Sequence, residues 1–455
     1  MKPSEIHYLS LCGMLGYGYP LDNFKHGINP HVCFIGADNG STDPGPYYLG
    51  SGTGFVKSMQ IRRDLEPALL TARKQNIPLI IGSAGGAGAK PHVDSFIKIL
   101  HDISHQHKLH YRLAIIYSDI DKKQVLDALQ QNRLSPCGPA PTLTEKRIHQ
   151  SSHIVGQMGT EPFIEALEAG AQVIIAGRSC DTAIFSALPV WKGFDPGLAL
   201  HAAKIAECGA LCAVPAGAND SLSVILSENH FIVEPTNPAR RCTPESVAAH
   251  SMYEQPDPNC FYEPEGKIDM QHSQFTSFGE RAVKVSGTRL IPPARDTIKL
   301  EAAVLKGYRT ISIAGLRDPS AISHLEEIEA GVRDKVAQNT KGIIDPNAYS
   351  LHFLRYGLDG VTGPREPLPA PLPREVGLVI ESIASTQELA DTVLSLARST
   401  ALHQPFEGRK TTAGNLAFPF SPSDVSCGPV YEFSIYHLLE TQKNQPLFKL
   451  CIEEI

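Results

Sequence analysis

The sequence predicts an α/β protein: a layered, mostly parallel sheet core, then an α+β part, then a small C-terminal α+β module. Three observations carry that prediction. Short apolar runs stop abruptly at glycine and small polar residues, as buried parallel strands do. Helical patterns with a single apolar stripe lie between these runs, and such alternation builds a layered sheet. After Gly217 the texture changes, and strand patterns follow one another with fewer long helices between them.

The core strands are predicted at residues 31–37, 78–82, 112–117, 172–177 and 211–215. Between them, residues 91–107 place Val93, Phe96, Ile97, Leu100 and Ile103 at helical spacing. Residues 121–131 and 160–169 read the same way, the second opening on a capping Thr160 and closing at Gly170. Strands at 222–226, 230–234, 282–285 and 310–314 mark the second part. The proline-rich stretch 363–373, GPREPLPAPLP, predicts a stiff, extended connector. The domain boundaries expected are therefore 1–219, 220–362 and 374–455. Leu416, Phe418, Phe420, Tyr431, Phe433 and Ile435 make the last segment more apolar than a module of its size requires. A contact with the first domain or a neighbouring subunit is expected from them, and with it a homo-oligomer.

The bulk numbers exclude some functions. With 455 residues, 42% hydrophobic and 20% charged, the chain is an ordinary globular one. A net charge of −7 and the absence of any Lys/Arg run argue against a nucleic-acid partner. No apolar stretch is long enough for a membrane span, and the first residues lack the apolar core of a signal peptide. Ten scattered cysteines without a C-x-x-C pair read as reduced thiols, so a cytoplasmic location is expected.

Ligands of open parallel sheets bind beyond the carboxyl ends of the strands, and four such tips are chemically rich. Residues 36–52, GADNGSTDPGPYYLGSG, carry Asp38, Ser41, Thr42 and Asp43 on a long loop. Residues 82–90, GSAGGAGAK, include Gly85 and Gly86, whose amides suit an anion cradle at a helix start. Tight strand–helix packing explains that loop equally well. It is neither a Walker A loop nor G-x-G-x-x-G, although Asp119 beyond the next strand keeps a dinucleotide reading open. Residues 156–162, GQMGTEP, are good capping chemistry. Residues 176–182, AGRSCDT, offer Arg178 as a carboxylate clamp, Cys180 as a nucleophile, Asp181 as an acid or base, and Thr182. An Arg178–Asp pair bracing the loop is the structural alternative. On residues 196–208, His201, Lys204 and Cys208 share a helical face beside Glu207. No spacing demands a metal, and metal and cofactor both stay open. Tyr436 and His437 end a half-buried strand pattern, a single histidine that reads first as structural.

Taken together, the 36–52, 82–89, 156–185 (GQMGTEPFIEALEAGAQVIIAGRSCDTAIF) and 201–210 (HAAKIAECGA) motifs resemble the acyclic terpene utilization AtuA family. GNLAFPFSPSD at 414–424 and YEFSIYHLL at 431–439 resemble the small companion domain found with it. The resemblance implies catabolism of branched acyl acids and supplies no agreed reaction or catalytic set. On the residues themselves, the leading expectation is a lyase of the hydratase or dehydratase type acting on a hydroxy acid or its acyl thioester. Asp38 and Asp181 serve as acid and base, with Cys180 as a further catalytic candidate. Ser41, Thr42, Asp43, Gly85, Gly86, Arg178, Thr182, His201 and Lys204 bind the small carboxylate or acyl substrate. A nucleotide- or CoA-binding ligase or transferase subunit is the alternative, and a non-catalytic subunit the third.

Overall fold

The computed structural model of the chain describes residues 3–217, 219–367, 371–410, 413–442 and 446–455. It divides into two compact units, residues 1–304 with 433–455, and residues 305–432.

The first unit is built on a ten-stranded sheet. At its centre Glu5–Ser10, Val32–Asp38, Leu79–Gly82, Val173–Ala176 and Arg112–Tyr117 lie side by side and parallel. Apolar side chains alternate strictly between the two faces, as the period of two requires. Phe34, Ile80, Ile116 and Ile174 meet the helices Glu161–Glu168, Asp181–Trp191 and Pro196–Glu207 on one side. Ile35, Ile81, Ile115 and Ile175 meet Ser58–Gln75 and Lys90–His107 on the other. Residues buried on both faces are what made these strands legible as continuous apolar runs.

Around that parallel core the sheet is antiparallel. Leu222–Ser227 pairs with Glu5–Ser10, and His230–Pro235, Ala282–Ser286 and Gln274–Phe278 follow outward. At the opposite edge Lys449–Glu454 returns to pair with Arg112–Tyr117. This is why the boundary expected at 219 is absent. Residues 220–286 add hydrogen-bonded strands to the same sheet, and a ladder is cheapest to extend where a sheet edge already waits.

Two sequence readings change. Residues 211–215 are not a core strand: Gly209–Cys212 forms a 3-10 turn, and only Ala213–Val214 pairs, with Arg241–Cys242. Pro215 then ends the ladder, having no N–H to give. The central strand Glu5–Ser10 was read only as the lack of a leader segment, yet it is the hinge between the parallel and antiparallel halves.

The second unit is α+β. Residues 308–316, the end of the long strand Thr297–Leu316, pair with Val376–Ala384, which pairs in turn with Tyr349–Tyr356. Val376, Leu378 and Ile380 point to one face, where Val332 and Val336 of Leu325–Thr340 and Val393, Leu394 and Ala397 of Gln387–His403 cover them. The proline-rich stretch therefore joins two partners of one hairpin and does not tether a separate domain. It holds a 3-10 turn at Gly363–Arg365, and its residues 368–370 lie outside the described residues. The C-terminal segment 374–455 is likewise divided. Residues up to 432 belong to the second unit, and Ile435 and Leu439 pack with Leu143, Ile148 and Leu300 in the first.

Candidate functional site

The carboxyl ends of the parallel strands carry a buried cluster of charges, all within the first unit. Asp38 is the last residue of Val32–Asp38 and is 6% exposed. Its Oδ2 accepts from the Gly40 amide at 2.9 Å, whereas its Oδ1 is sealed from solvent without a hydrogen bond. Burial raises its pKa well above the carboxylate range, and the nearby Asp181 adds to the rise against the pull of Gly40 and Arg178. Asp181 opens the helix Asp181–Trp191, and its Oδ1 is also buried without a partner. Burial raises this carboxyl too, countered by Arg178 and Lys204. Two carboxyls that oppose each other's ionisation in a desolvated place tend to divide into acid and base.

Arg178 is near enough to both to pull each toward ionisation. The loop that carries it is pinned on both sides: Met158 N donates to the Arg178 carbonyl at 3.1 Å and Cys180 N to the Met158 carbonyl at 2.9 Å. Ser118 Oγ accepts the Arg178 amide. The guanidinium Nε donates to Glu301 Oε2 at 2.8 Å, with both side chains buried. Its Nη1 reaches Ser83 Oγ and the Ser179 carbonyl only at 3.4 Å. Glu301 also takes Lys299 at 3.0 Å and the Thr42 hydroxyl at 3.0 Å. Burial opposes its ionisation, but Arg178 and Lys299 outweigh it and hold Glu301 down to about 2. Arg178 is thus braced by Glu301 and not by an aspartate of its own loop, and the pair leaves part of the guanidinium weakly bonded.

A second layer lies beyond Asp181. Lys204 pairs with Glu207 three residues on, both buried. Burial disfavours the Lys204 ammonium, but Glu207, Asp181 and Glu263 hold its proton in place. Glu263 is the last residue of the strand Cys260–Glu263, paired with Gly266 of Gly266–Asp269, and lies against Cys180, Thr182 and Lys204; burial with Glu265 beside it pushes it up to about 7. Glu265 accepts both the amide and the hydroxyl of Thr160, at 2.6 and 2.7 Å, and so caps Glu161–Glu168. At the rim Ser41 donates to Asp43 in an exposed turn, and Asp43 is near enough to raise Asp181.

Several expected site residues fall elsewhere. The Gly85 and Gly86 amides expected to cradle an anion are already engaged, Gly85 N by Asn39 Oδ1 at 2.6 Å and Gly86 N by the Ser83 carbonyl, and so are Ser83 N by Gly177 and Ala84 N by Ala176. Close packing demands the glycines, since a Cβ at Gly88, where φ is +70°, would lie 2.1 Å from the Arg178 amide nitrogen. Cys180 is buried, and burial and then the two glutamates Glu263 and Glu265 raise its thiol well above the usual range, which disfavours the thiolate a nucleophile needs. His201 turns away from Lys204. It is wholly buried, bonds Thr288 and Ser251 at 2.7 and 2.9 Å, and packs edge-on to Phe231, so burial takes it down to about 3. Asp119, which kept a dinucleotide reading open, accepts the Lys90 amide at 2.7 Å and so caps Lys90–His107. His437 is buried in the ladder with Pro136.

Sequence reading missed Glu301, Lys299, Glu263 and Glu265. Glu301 had a signal: it is a charge inside the apolar strand pattern of TIKLEAAV. Among the described residues no group of three or more His, Cys, Asp or Glu side chains is arranged to hold a metal ion. Among the described residues no helix is long and apolar enough to cross a membrane.

Comparison with curated proteins and with solved structures gives no match. A family model, the acyclic terpene utilisation family protein AtuA, matches residues 50–220 and 225–416. That range holds Arg178, Asp181, Lys204, Glu263 and Glu301, while Asp38 precedes it. Most of the chain is covered in order, and the chain belongs to the AtuA acyclic terpene utilisation family.

Proposed function

We propose that the protein is a lyase of the hydratase or dehydratase type, acting on a hydroxy acid or its acyl thioester in the breakdown of a branched carbon chain. One observation carries this reading: Asp38 and Asp181 each keep an oxygen buried and unbonded beside the same arginine. Removing water beside a carbonyl needs a base for the α-proton and an acid for the departing hydroxyl. Asp38, which burial and then the neighbouring Asp181 raise well above the carboxylate range, holds the proton and serves as acid. Asp181, drawn toward ionisation by Arg178 and Lys204, serves as base. The weakly bonded Nη1 of Arg178 supports a role in polarising the substrate's carboxyl or thioester oxygen. The family's place in acyclic terpene use supports a branched, apolar substrate.

The test is a panel of branched hydroxy acids, their unsaturated counterparts and the CoA thioesters of both, followed by the appearance or loss of the conjugated double bond. Activity that falls by roughly 10²–10⁴ in D38N and D181N, both still folded, supports the assignment. An active panel member whose turnover ignores both substitutions sinks it.

A further inference from the structure

A separate cleft lies at the same end of the sheet as the acid cluster, several strands away. Val214, Pro215, Pro238, Ala239, Arg240, Arg241, Glu280 and Arg281 wall a cleft of about 700 Å³ in the first unit. Arg281 is fully engaged and builds the wall. Its Nε holds the Arg240 carbonyl at 2.9 Å, Nη2 holds the Pro235 and Asn237 carbonyls at 2.6 Å each, and Nη1 pairs with Glu234. The other two arginines are different. Arg240 Nη1 is sealed from solvent and donates to nothing. Its nearest carboxylate oxygen, on Asp220, is 3.7 Å away, and Asp220 already accepts from Asn23, Asn237 and the Ser221 amide. Arg241 is exposed and, among the described residues, forms no ion pair.

Gly217 makes room for this arrangement. A Cβ there would come within 2.3 Å of both Nη1 and Nη2 of Arg240, so the guanidinium lies directly against the glycine backbone.

We infer that this cleft binds a phosphate ester. Arg240, held only loosely by Asp220 at 3.7 Å and still partly exposed, and the exposed Arg241 stand on one wall and match the several oxygens of a phosphate, which Arg takes in paired hydrogen bonds. A dianion also overcomes the single lining carboxylate, Glu280, better than a monocarboxylate would. The cleft is larger than an inorganic ion needs, so an organic ester fills it. Register fixes where it lies: Leu222 pairs with Ser10 and Pro235, and Ser10 with Gly36, so the cleft's loops leave the sheet at the edge that carries Asp38. Four strand spacings separate Ala282–Ser286 from Val32–Asp38 in the sheet order, about 15–20 Å. The ester is either the tail of the acyl substrate or a separate nucleotide, and only the first alternative rests on the proposed acyl chemistry.

The test is calorimetric titration of the full chain with inorganic phosphate, ATP and CoA, on wild type, R240Q/R241Q, G217A and D181N. At least one organic phosphate is expected to bind more tightly than inorganic phosphate and to lose tenfold or more in R240Q/R241Q. G217A, which keeps both arginines but displaces one, should weaken it as well, and D181N should leave it unchanged. Preference for CoA identifies the substrate tail, and preference for ATP identifies a separate nucleotide. If none of the three binds wild type, or if binding survives both R240Q/R241Q and G217A undiminished, the assignment is overturned. Either result is independent of turnover, so it stands apart from the fate of the lyase proposal.

Discussion

Arg178 and Glu301 form an ion pair 123 positions apart in sequence, Nε to Oε2 at 2.8 Å, with 5% and 1% of their side chains exposed. The pair joins the tip of Val173–Ala176 to the strand that begins at Thr297, and it fixes where the guanidinium can meet a ligand. Removing one partner leaves the other charge buried alone. E301A should therefore destabilise the chain by about 3–5 kcal/mol, read from urea unfolding, whereas E301Q keeps the shape and should cost less. Equal stability of E301A and wild type would dissolve the pair's structural role.

Glu263 supplies a pH prediction. Its folded pKa, about 7, lies above the ordinary 4.5, so the folded chain keeps a proton that the unfolded chain has released between those values. The contribution is whole below pH ~4.5, shrinks as pH rises and is gone above ~7. In E263Q the amide cannot ionise. The thermal midpoint of E263Q relative to wild type should therefore rise between pH 5 and 7.5, and a flat difference would show that Glu263 titrates normally.

Gly88 tests the packing account of the glycine loop. The substitution G88A puts a methyl group 2.1 Å from the Arg178 amide nitrogen at a left-handed φ of +70°. A loss of roughly 2–4 kcal/mol is expected, because backbone has to move at a close-packed place. Full stability in G88A, measured by denaturant titration, would mean that the loop has slack and that the cradle reading must be reopened.

Deletion of residues 446–455 removes the strand that covers Arg112–Tyr117. The exposed ladder of Leu113, Ala114, Ile115 and Ile116 becomes an unprotected edge, so the variant should aggregate or self-associate in sedimentation runs. A monodisperse, fully stable product would make that strand an ornament.

Legibility in the sequence followed burial. Strands buried on both faces, such as 79–82 and 112–117, announced themselves as apolar runs, and the helix 91–107 announced itself by its stripe. Asp38, Arg178 and Asp181 were legible because each follows such a strand, where ligands gather. What stayed hidden depended on partners distant in the chain. Nothing local to AGRSCDT says that Glu301 will neutralise its arginine, or that Asn39 will take the Gly85 amide and close the supposed cradle. His201 and Lys204 sit three positions apart on one helix, yet their neighbours differ entirely: Phe231, Thr288 and Ser251 for one, carboxylates for the other. Helical periodicity gives a direction and not the company found there. The proline-rich connector misled for the same reason, since only pairing of Tyr349–Tyr356 with Val376–Ala384 reveals a hairpin.

The return of Lys449–Glu454 to the first unit also sets an order of events. Arg112 and Glu454 meet across 342 positions, and the whole second unit is translated between them. A nascent chain emerging from the ribosome therefore carries an incomplete first sheet while the intervening hairpin and helices are still being made. Domains elsewhere finish one after another as they emerge. Here the unit begun first closes last, after release of its final strand, and its bare edge has to be kept from other nascent chains throughout that interval.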